Sequence, residues 1–312
     1  MTFTTRLKEE LTSSSIIPVE SLIELSAFIR LTAQIKKNQI RLTMENASVA
    51  RRIYKLIKSN FSIEIKIIIR NQKRFRVKQI YILEINDKIN EILETLSITK
   101  DGKKLNDTSF FITNEEEQKA YIKGAFLACG SINDPSSGEY HCEFSVAQKN
   151  EGLFIKSILK NFNITSKIIK RASRYMVYIK AAEMISDLLR ILNSTNCFFY
   201  FEDIRIYRDH KNMVNRLNNC EIANQEKILA TSMRQLEDIE YIKQNDLQGL
   251  LDDNINEAIK YKEAYPETSL QELADIISSE TGHTIGKSGI NHYFIKIKKI
   301  VEQHKQKNKE DL

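Results

Sequence analysis

The chain has 312 residues, enough for two or three domains, and 42% of them are hydrophobic, which excludes a globally disordered polypeptide. Its formal net charge of +6 is a mild basic excess that suits a nucleic-acid binder and equally suits many ordinary enzymes. No run approaches the ~18 consecutive apolar residues of a membrane span. The charged amphipathic start MTFTTRLKEEL has no apolar signal core, so the sequence reads as cytosolic.

In chain order, a helical periodicity covers residues 20–32 and the alternating strand QIRLTM covers 39–44. A helix follows over 48–61. Next come two strands, SIEIKIII and RVKQIYILEI, about a polar turn at 70–74, and a helix in DKINEILETL. The pattern then repeats: a helix over 115–128, the turn NDPSSGE, the strand YHCEFSVA, the helix EGLFIKSILKNF, the strands ITSKIIKR and YMVYIK, and the helix AEMISDLLRIL. Phe61 and Phe162 correspond, as do Ile63 and Ile164, each pair 101 residues apart. Matching element order together with a matching local phrase predicts a duplicated unit, with halves at about 16–100 and 113–195.

Beyond residue 208 the composition turns polar. Residues 209–224 are read as a helical connector and 225–312 as an all-α domain. The four cysteines, Cys129, Cys142, Cys197 and Cys220, form no CxxC, and only His141–Cys142 places a second ligand type beside one of them. They are read as reduced thiols, with no metal and no cofactor expected. There is no Gly-rich phosphate loop, HExxH or GxSxG.

The stretch YIKGAFLACGSI, residues 121–132, places Gly124 and Ala128 four apart on one helix face, where small side chains allow a second helix to approach closely. Read alone, it fits equally well a buried helix closed by Gly130. Together with the duplication it resembles the motif of the LAGLIDADG homing endonucleases, roughly YLAGLIDADGSI. The resemblance implies an α+β fold, two αββαββα units forming one domain (1–208) whose two motif helices pack side by side. In that family the last acid of each motif holds a catalytic divalent metal. The acidic positions fall here on Arg30 and Thr32 in the first copy and on Leu127 and Cys129 in the second. None is a carboxylate, and Mg²⁺ requires hard anionic oxygen ligands, so no catalytic residue is assigned.

The resemblance narrows to the sporulation regulator WhiA family on four stretches: IELSAFIRL (23–31), KAYIKGAFLACGSI (119–132), NRLNNCEIAN (215–224) and KSGINHYFIKI (287–297). It implies a catalytically degenerate endonuclease scaffold joined to a helix-turn-helix domain. The function it implies is sequence-specific transcriptional regulation at promoters on double-stranded DNA, linked to cell division, chromosome segregation and, in sporulating relatives, sporulation, with the protein at the nucleoid. The chain departs from the family at Tyr293, Phe294 and Ile295, where Arg-Leu-Arg is usual, which bears on the target sequence.

In the C-terminal region, Ser269 and Glu272 form a capping box ahead of the helix in SLQELADII, SSETGHTIGK is read as the turn, and Ser288 is read as the cap of a second helix. Ile290, Phe294, Ile297 and Ile300 or Val301 would face the core. Asn291, His292, Ile295, Lys296, Lys298 and Lys299 would face outward, as a recognition helix requires, and the expected DNA-binding residues are Lys287, Ser288, Gly289, Asn291, His292, Lys296, Lys298 and Lys299. An auxiliary DNA contact is expected from Lys66, Arg70, Lys73, Arg74, Arg76 and Lys78, with Lys167, Lys170, Arg171, Arg174 and Lys180 in the second copy. Asn215, Arg216, Asn219, Glu221 and Asn224 are read as domain docking, with a small-ligand or partner site as the alternative. Two other readings remain: a ligand- or protein-sensing adaptor that uses the endonuclease-like domain as sensor, and an active nuclease using other carboxylates.

Overall fold

The computed structural model describes all residues except 37, 72–78, 101–102, 106–111, 113 and 311–312. Helix α1 (Phe3–Ser13) precedes the first repeat. The Thr2 hydroxyl accepts from the Thr5 amide at 3.2 Å, and Phe3, Leu7 and Leu11, spaced four apart, form its buried stripe.

The first repeat runs α2 (Pro18–Thr32), β1 (Gln34–Lys36), β2 (Gln39–Met44), α3 (Ala47–Asn60), β3 (Lys66–Asn71), β4 (Gln79–Ile85) and α4 (Ile89–Thr95). Proline at the first position opens α2, and Asn46 Oδ1 caps α3 by accepting from the Ser48 and Val49 amides at 2.8 and 3.1 Å. A short ladder, β5 (Thr99–Lys100) with β6 (Lys103–Lys104), follows. The second repeat runs α5 (Glu115–Cys129), β7 (Gly130–Ile132), β8 (Cys142–Val146), α6 (Lys149–Asn161), β9 (Lys167–Arg171), β10 (Arg174–Ile179) and α7 (Ala182–Ile191). Asn114 and Glu117 form the capping box of α5, so the acids of its first turn serve the helix end.

The two sheets have the same antiparallel order, β1-β2-β4-β3 and β7-β8-β10-β9. Ile40 and Leu42 lie opposite Ile85 and Leu83, and Cys142 and Phe144 opposite Ile179 and Val177, all on the faces covered by helices. The expected αββαββα units are therefore present, with one correction. Residues 62–65 and 164–166 are not strand, because Ile63 and Ile164 are buried beside the preceding helix ends and do not alternate with the sheet. Short strands β1 and β7 are the first strands of the expected αββαββα pattern and extend each sheet directly after its motif helix.

The chain divides into two units, Met1–Asp209 and His210–Leu312. The boundary falls within α8 (Thr195–Gln244), a single 50-residue helix that contains the whole stretch read as a connector. In the second unit, a 3-10 turn (Leu247–Leu250), α9 (Asp253–Ala264), α10 (Leu270–Thr281) and α11 (Lys287–Glu310) complete the fold. Its core joins Ile239, Ile242, Ile255, Ile259, Leu273, Ile277, Ile290, Phe294, Ile297 and Val301. Helix α10 runs a full turn past residue 277 and stops at Gly282, whose φ of 73° places it in the left-handed region. Ser288 does not cap α11: the Gly286 carbonyl accepts from the Gly289 and Ile290 amides, so Ser288 lies inside the first turn. Among the described residues no helix is long and apolar enough to cross a membrane.

Candidate nucleic-acid interface

Helices α2 and α5 pack against each other more extensively than any other pair of helices described. Gly124 lies at their crossing, where a Cβ would come 2.2 Å from the Glu24 carbonyl oxygen and 3.0 Å from the Ala27 Cβ. Ala27 is the counterpart of Gly124 in the first repeat, so the two small residues meet at the pseudo-twofold seam. Gly130 is small for a different reason: its φ of −77° suits any residue, but a Cβ would lie 2.3 Å from the Phe126 ring.

The four positions expected to align with motif acids lie in no cluster of potential metal ligands among the described residues. Arg30 is buried and donates to the Leu105 and Ser97 carbonyls, each at 2.7 Å, and Leu127 is core. The Thr32 hydroxyl turns back on its own helix and donates to the Phe28 carbonyl at 2.6 Å. The Cys129 thiol does the same to Ala125 at 3.3 Å, at the equivalent place in the second copy. Burial pushes the Cys129 thiol up to about 12. Lys8 of α1 reaches the same region, with its ammonium 5.9 Å from the Phe126 ring centroid, and desolvation lowers its pKa. His141 and Cys142 do not converge either. Cys142 is buried under helices, whereas His141 bonds Glu143 at 2.9 Å and stacks on Tyr178.

On the outer faces of the sheets the repeat is electrostatic. Lys66 and Arg70 of β3 correspond, 101 residues on, to Lys167 and Arg171 of β9, and all four are exposed. Lys73, Arg74, Arg76 and Lys78 lie outside the described residues.

Helix α11 has two distinct sides. Ile290, Phe294, Ile297 and Val301 are buried, while Asn291, His292, Lys298 and Lys299 are exposed, as are Lys287 and Ser288 at its start. Gly289 is half-buried against Ile285, so it contributes closeness to the turn instead of an outward surface. Lys296 is committed to Asp252 at 2.5 Å, and Lys298 is 3.7 Å from Glu302. Asn215, Arg216, Asn219, Glu221 and Asn224 all fall in α8 and are exposed, and Asn224 Nδ2 donates to Cys220 Sγ at 3.8 Å.

Three family models tile the chain: the WhiA N-terminal LAGLIDADG-like domain over 18–99, the WhiA LAGLIDADG-like domain over 118–211, and the WhiA C-terminal HTH domain over 214–301. The probable cell division protein WhiA of Pediococcus pentosaceus is 35% identical, covering 97% of this chain and 99% of its own length. The protein of the same name from Bacillus cereus is also 35% identical, covering 97% of each. The chain belongs to the WhiA family. Two solved WhiA structures agree in fold. The crystal structure of full-length DUF199/WhiA from Thermatoga maritima matches with a TM-score of 0.59 and 23% identity, over 97% of this chain and 99% of its own. That of the N-terminal LAGLIDADG domain of DUF199/WhiA matches with a TM-score of 0.50 and 23% identity, over 62% of this chain and 89% of its own.

Within this WhiA-family scaffold, the sequence reading missed the polar groups that support the seam. Glu24 and Arg52 form a buried bidentate pair at 2.5 and 2.8 Å, and Arg52 also donates to the Ser14 carbonyl at 2.7 Å. Their signal was available: Glu24 interrupts the apolar stretch of α2, and Arg52 occupies a core-facing position of α3.

Proposed function

We propose that this protein is a DNA-binding transcriptional regulator of the cell-division class for which its relatives are named, and that it binds DNA without cleaving it. The observation that carries the reading is the two-sided character of α11: its apolar stripe is consumed by the helical core, leaving Asn291 and His292 exposed within its first turns beside Lys287, Lys298 and Lys299. An exposed amide there can pair bidentately with adenine, and exposed lysines supply phosphate contacts.

Once a target has been found by genome-wide DNA capture, Asn291→Ala is expected to weaken target binding by about 1–3 kcal/mol and to leave scrambled-duplex binding nearly unchanged. The combined change of Lys66, Arg70, Lys167 and Arg171 to alanine is expected to weaken both duplexes alike and flatten the salt dependence, by about 0.9 in slope for each phosphate no longer neutralised. A salt titration on both duplexes decides the matter. Equal reductions for Asn291→Ala on target and scrambled DNA would show that α11 is not the reader.

Absence of cleavage is expected because the motif ends carry a buried arginine, a leucine, and a hydroxyl and a thiol turned back onto their helices. Plasmid nicking with Mg²⁺ or Mn²⁺ at high protein concentration checks this. Metal-dependent cuts that vanish when an aspartate or glutamate is replaced would overturn it.

A further inference from the structure

A second site lies within the helical unit and shares only Lys287 with the exposed face of α11. A cavity of about 450 Å³ is bounded by α8, α9, the turn leading into α10, and the starts of α10 and α11. Its lining includes three lysines, Lys227, Lys262 and Lys287, and no carboxylate. Lys262 is the unusual member. Only 1% of its surface is exposed, yet its sole hydrogen bond among the described residues is from Nζ to the Thr268 carbonyl at 3.0 Å. An ammonium has three donors, and a buried charge without a counter-charge is costly. A neutral side chain could fill the same space, and a surface lysine would reach water. Desolvation alone lowers its pKa, and no anionic group acts in the other direction.

The start of α10 adds donors to the same cavity. Ser269 and Glu272 satisfy each other through the capping box, but the amides of Leu270 and Gln271 have no acceptor among the described residues. A helix N-terminus carries partial positive charge and free N–H groups, the ordinary means of holding an oxyanion. Gln235 adds a side-chain amide to the lining, whereas the Thr231 hydroxyl donates to the Lys227 carbonyl at 2.8 Å and the Gln271 amide to Asp275 at 2.9 Å.

We infer that this cavity is a phosphate-binding site in which the Lys262 ammonium, the first amides of α10 and Lys287 share one phosphate group. That group comes either from a DNA backbone, in which case the inference rests on the proposed DNA-binding reading, or from a free phosphate, in which case it stands apart from it. Lys262 is the anchor, because its position is fixed by burial. Lys227 and Lys287 are exposed and close over the anion from outside.

The test compares full-length protein with Lys262→Met in two measurements: calorimetric titration with inorganic phosphate against chloride at matched ionic strength, and a salt titration of duplex binding. Methionine preserves most of the side-chain volume and removes the charge. Loss of phosphate uptake together with a decrease of about 0.9 in the salt slope assigns the site to a DNA phosphate. Loss of uptake with an unchanged slope assigns it to a free anion. A decreased slope in a protein that takes up no free phosphate assigns it to DNA alone. Undiminished phosphate uptake by the variant overturns the inference, as does the combination of no uptake by the parent protein and an unchanged slope in the variant. Should Lys262→Met fail to fold, Lys227→Ala, which leaves the lysines of α11 intact, is judged by the same two measurements. If that protein takes up phosphate as the parent does, or if the parent takes up none and the slope is unchanged, the inference fails. Failure of the DNA-binding reading itself would appear separately, as absence of binding to any duplex while phosphate uptake persists.

Discussion

Gly124→Ala should lower the stability of the endonuclease-like unit by about 1–3 kcal/mol, and Gly124→Leu by more, because overpacking at a closed contact forces a shift of backbone. The obstacle is the Glu24 carbonyl oxygen, 2.2 Å from where a Cβ would be, with the Ala27 Cβ behind it at 3.0 Å. Neither can rotate away as the end of a long side chain can. Any relief requires α2 and α5 to separate, and that opens the most extensive helix–helix packing described in the unit. For a unit of this size each kcal/mol corresponds to about 2–4 °C in melting temperature, so the alanine variant should melt visibly earlier. Gly138→Ala provides the control: a Cβ there meets nothing within 4 Å, and its melting temperature should match the parent. A Gly124→Leu protein that melts with the parent would mean that the helices do not touch at this point.

That seam was legible because the duplication preserves more than element order. The helix ends match in their hydrogen bonds, Ala33 N–H to the Ile29 carbonyl and Gly130 N–H to the Phe126 carbonyl, at positions 97 residues apart. The end of the following helix and the first strand of the next hairpin match at an offset of 101 (Phe61 with Phe162, Lys66 with Lys167), so the second copy has four more residues in between. The longer β7–β8 connection, with its Asp134–Ser136 and Asp134–Ser137 hydrogen bonds, takes up the extra chain. The apolar stripe of α11 was legible too, since 3.6-residue spacing alone selects Ile290, Phe294, Ile297 and Val301.

What stayed hidden has identifiable physical causes. Helix α1 falls outside the repeat, and its charged residues obscured the buried spacing of Phe3, Leu7 and Leu11. A long polar helix is legible from residue 209 onward, but the change of composition there hides that α8 begins at Thr195. Yet the stretch from Thr195 to Gln244 contains neither proline nor glycine, and nothing local stops the helix. Alignment with the motif could say that Arg30 is not an acid. It could not say that the guanidinium would hold the Ser97 and Leu105 carbonyls, partners 67 and 75 residues away. Lys262 was hidden in the same way: a lysine in a helix ordinarily reads as surface, and only the packed structure shows it enclosed.

Arg52→Met should cost about 3–5 kcal/mol, the penalty for leaving one member of a buried ion pair uncompensated. Both side chains are 3% exposed, so water cannot replace the missing partner. Among the described residues Glu24 would retain only Lys123, at 3.7 Å, and the Thr12 and Ser14 carbonyls at the end of α1 would be without their guanidinium donor. Glu24→Leu alone should cost a comparable amount, because the arginine is then the stranded charge. The double variant Glu24→Leu, Arg52→Met should recover much of the stability, since apolar groups of similar volume can replace a buried pair at little net cost. Denaturant unfolding of the two single variants and the double variant gives the coupling energy directly. Destabilisations that simply add in the double variant would show that the pair is not acting as a unit. The location gives the result a second meaning. Glu24 contributes both the carboxylate of this pair and the carbonyl that faces Gly124, so the ion pair fixes α2 at the residue where the seam is closest. The single variants should therefore loosen the packing of α2 on α5 as well as the α2–α3 contact.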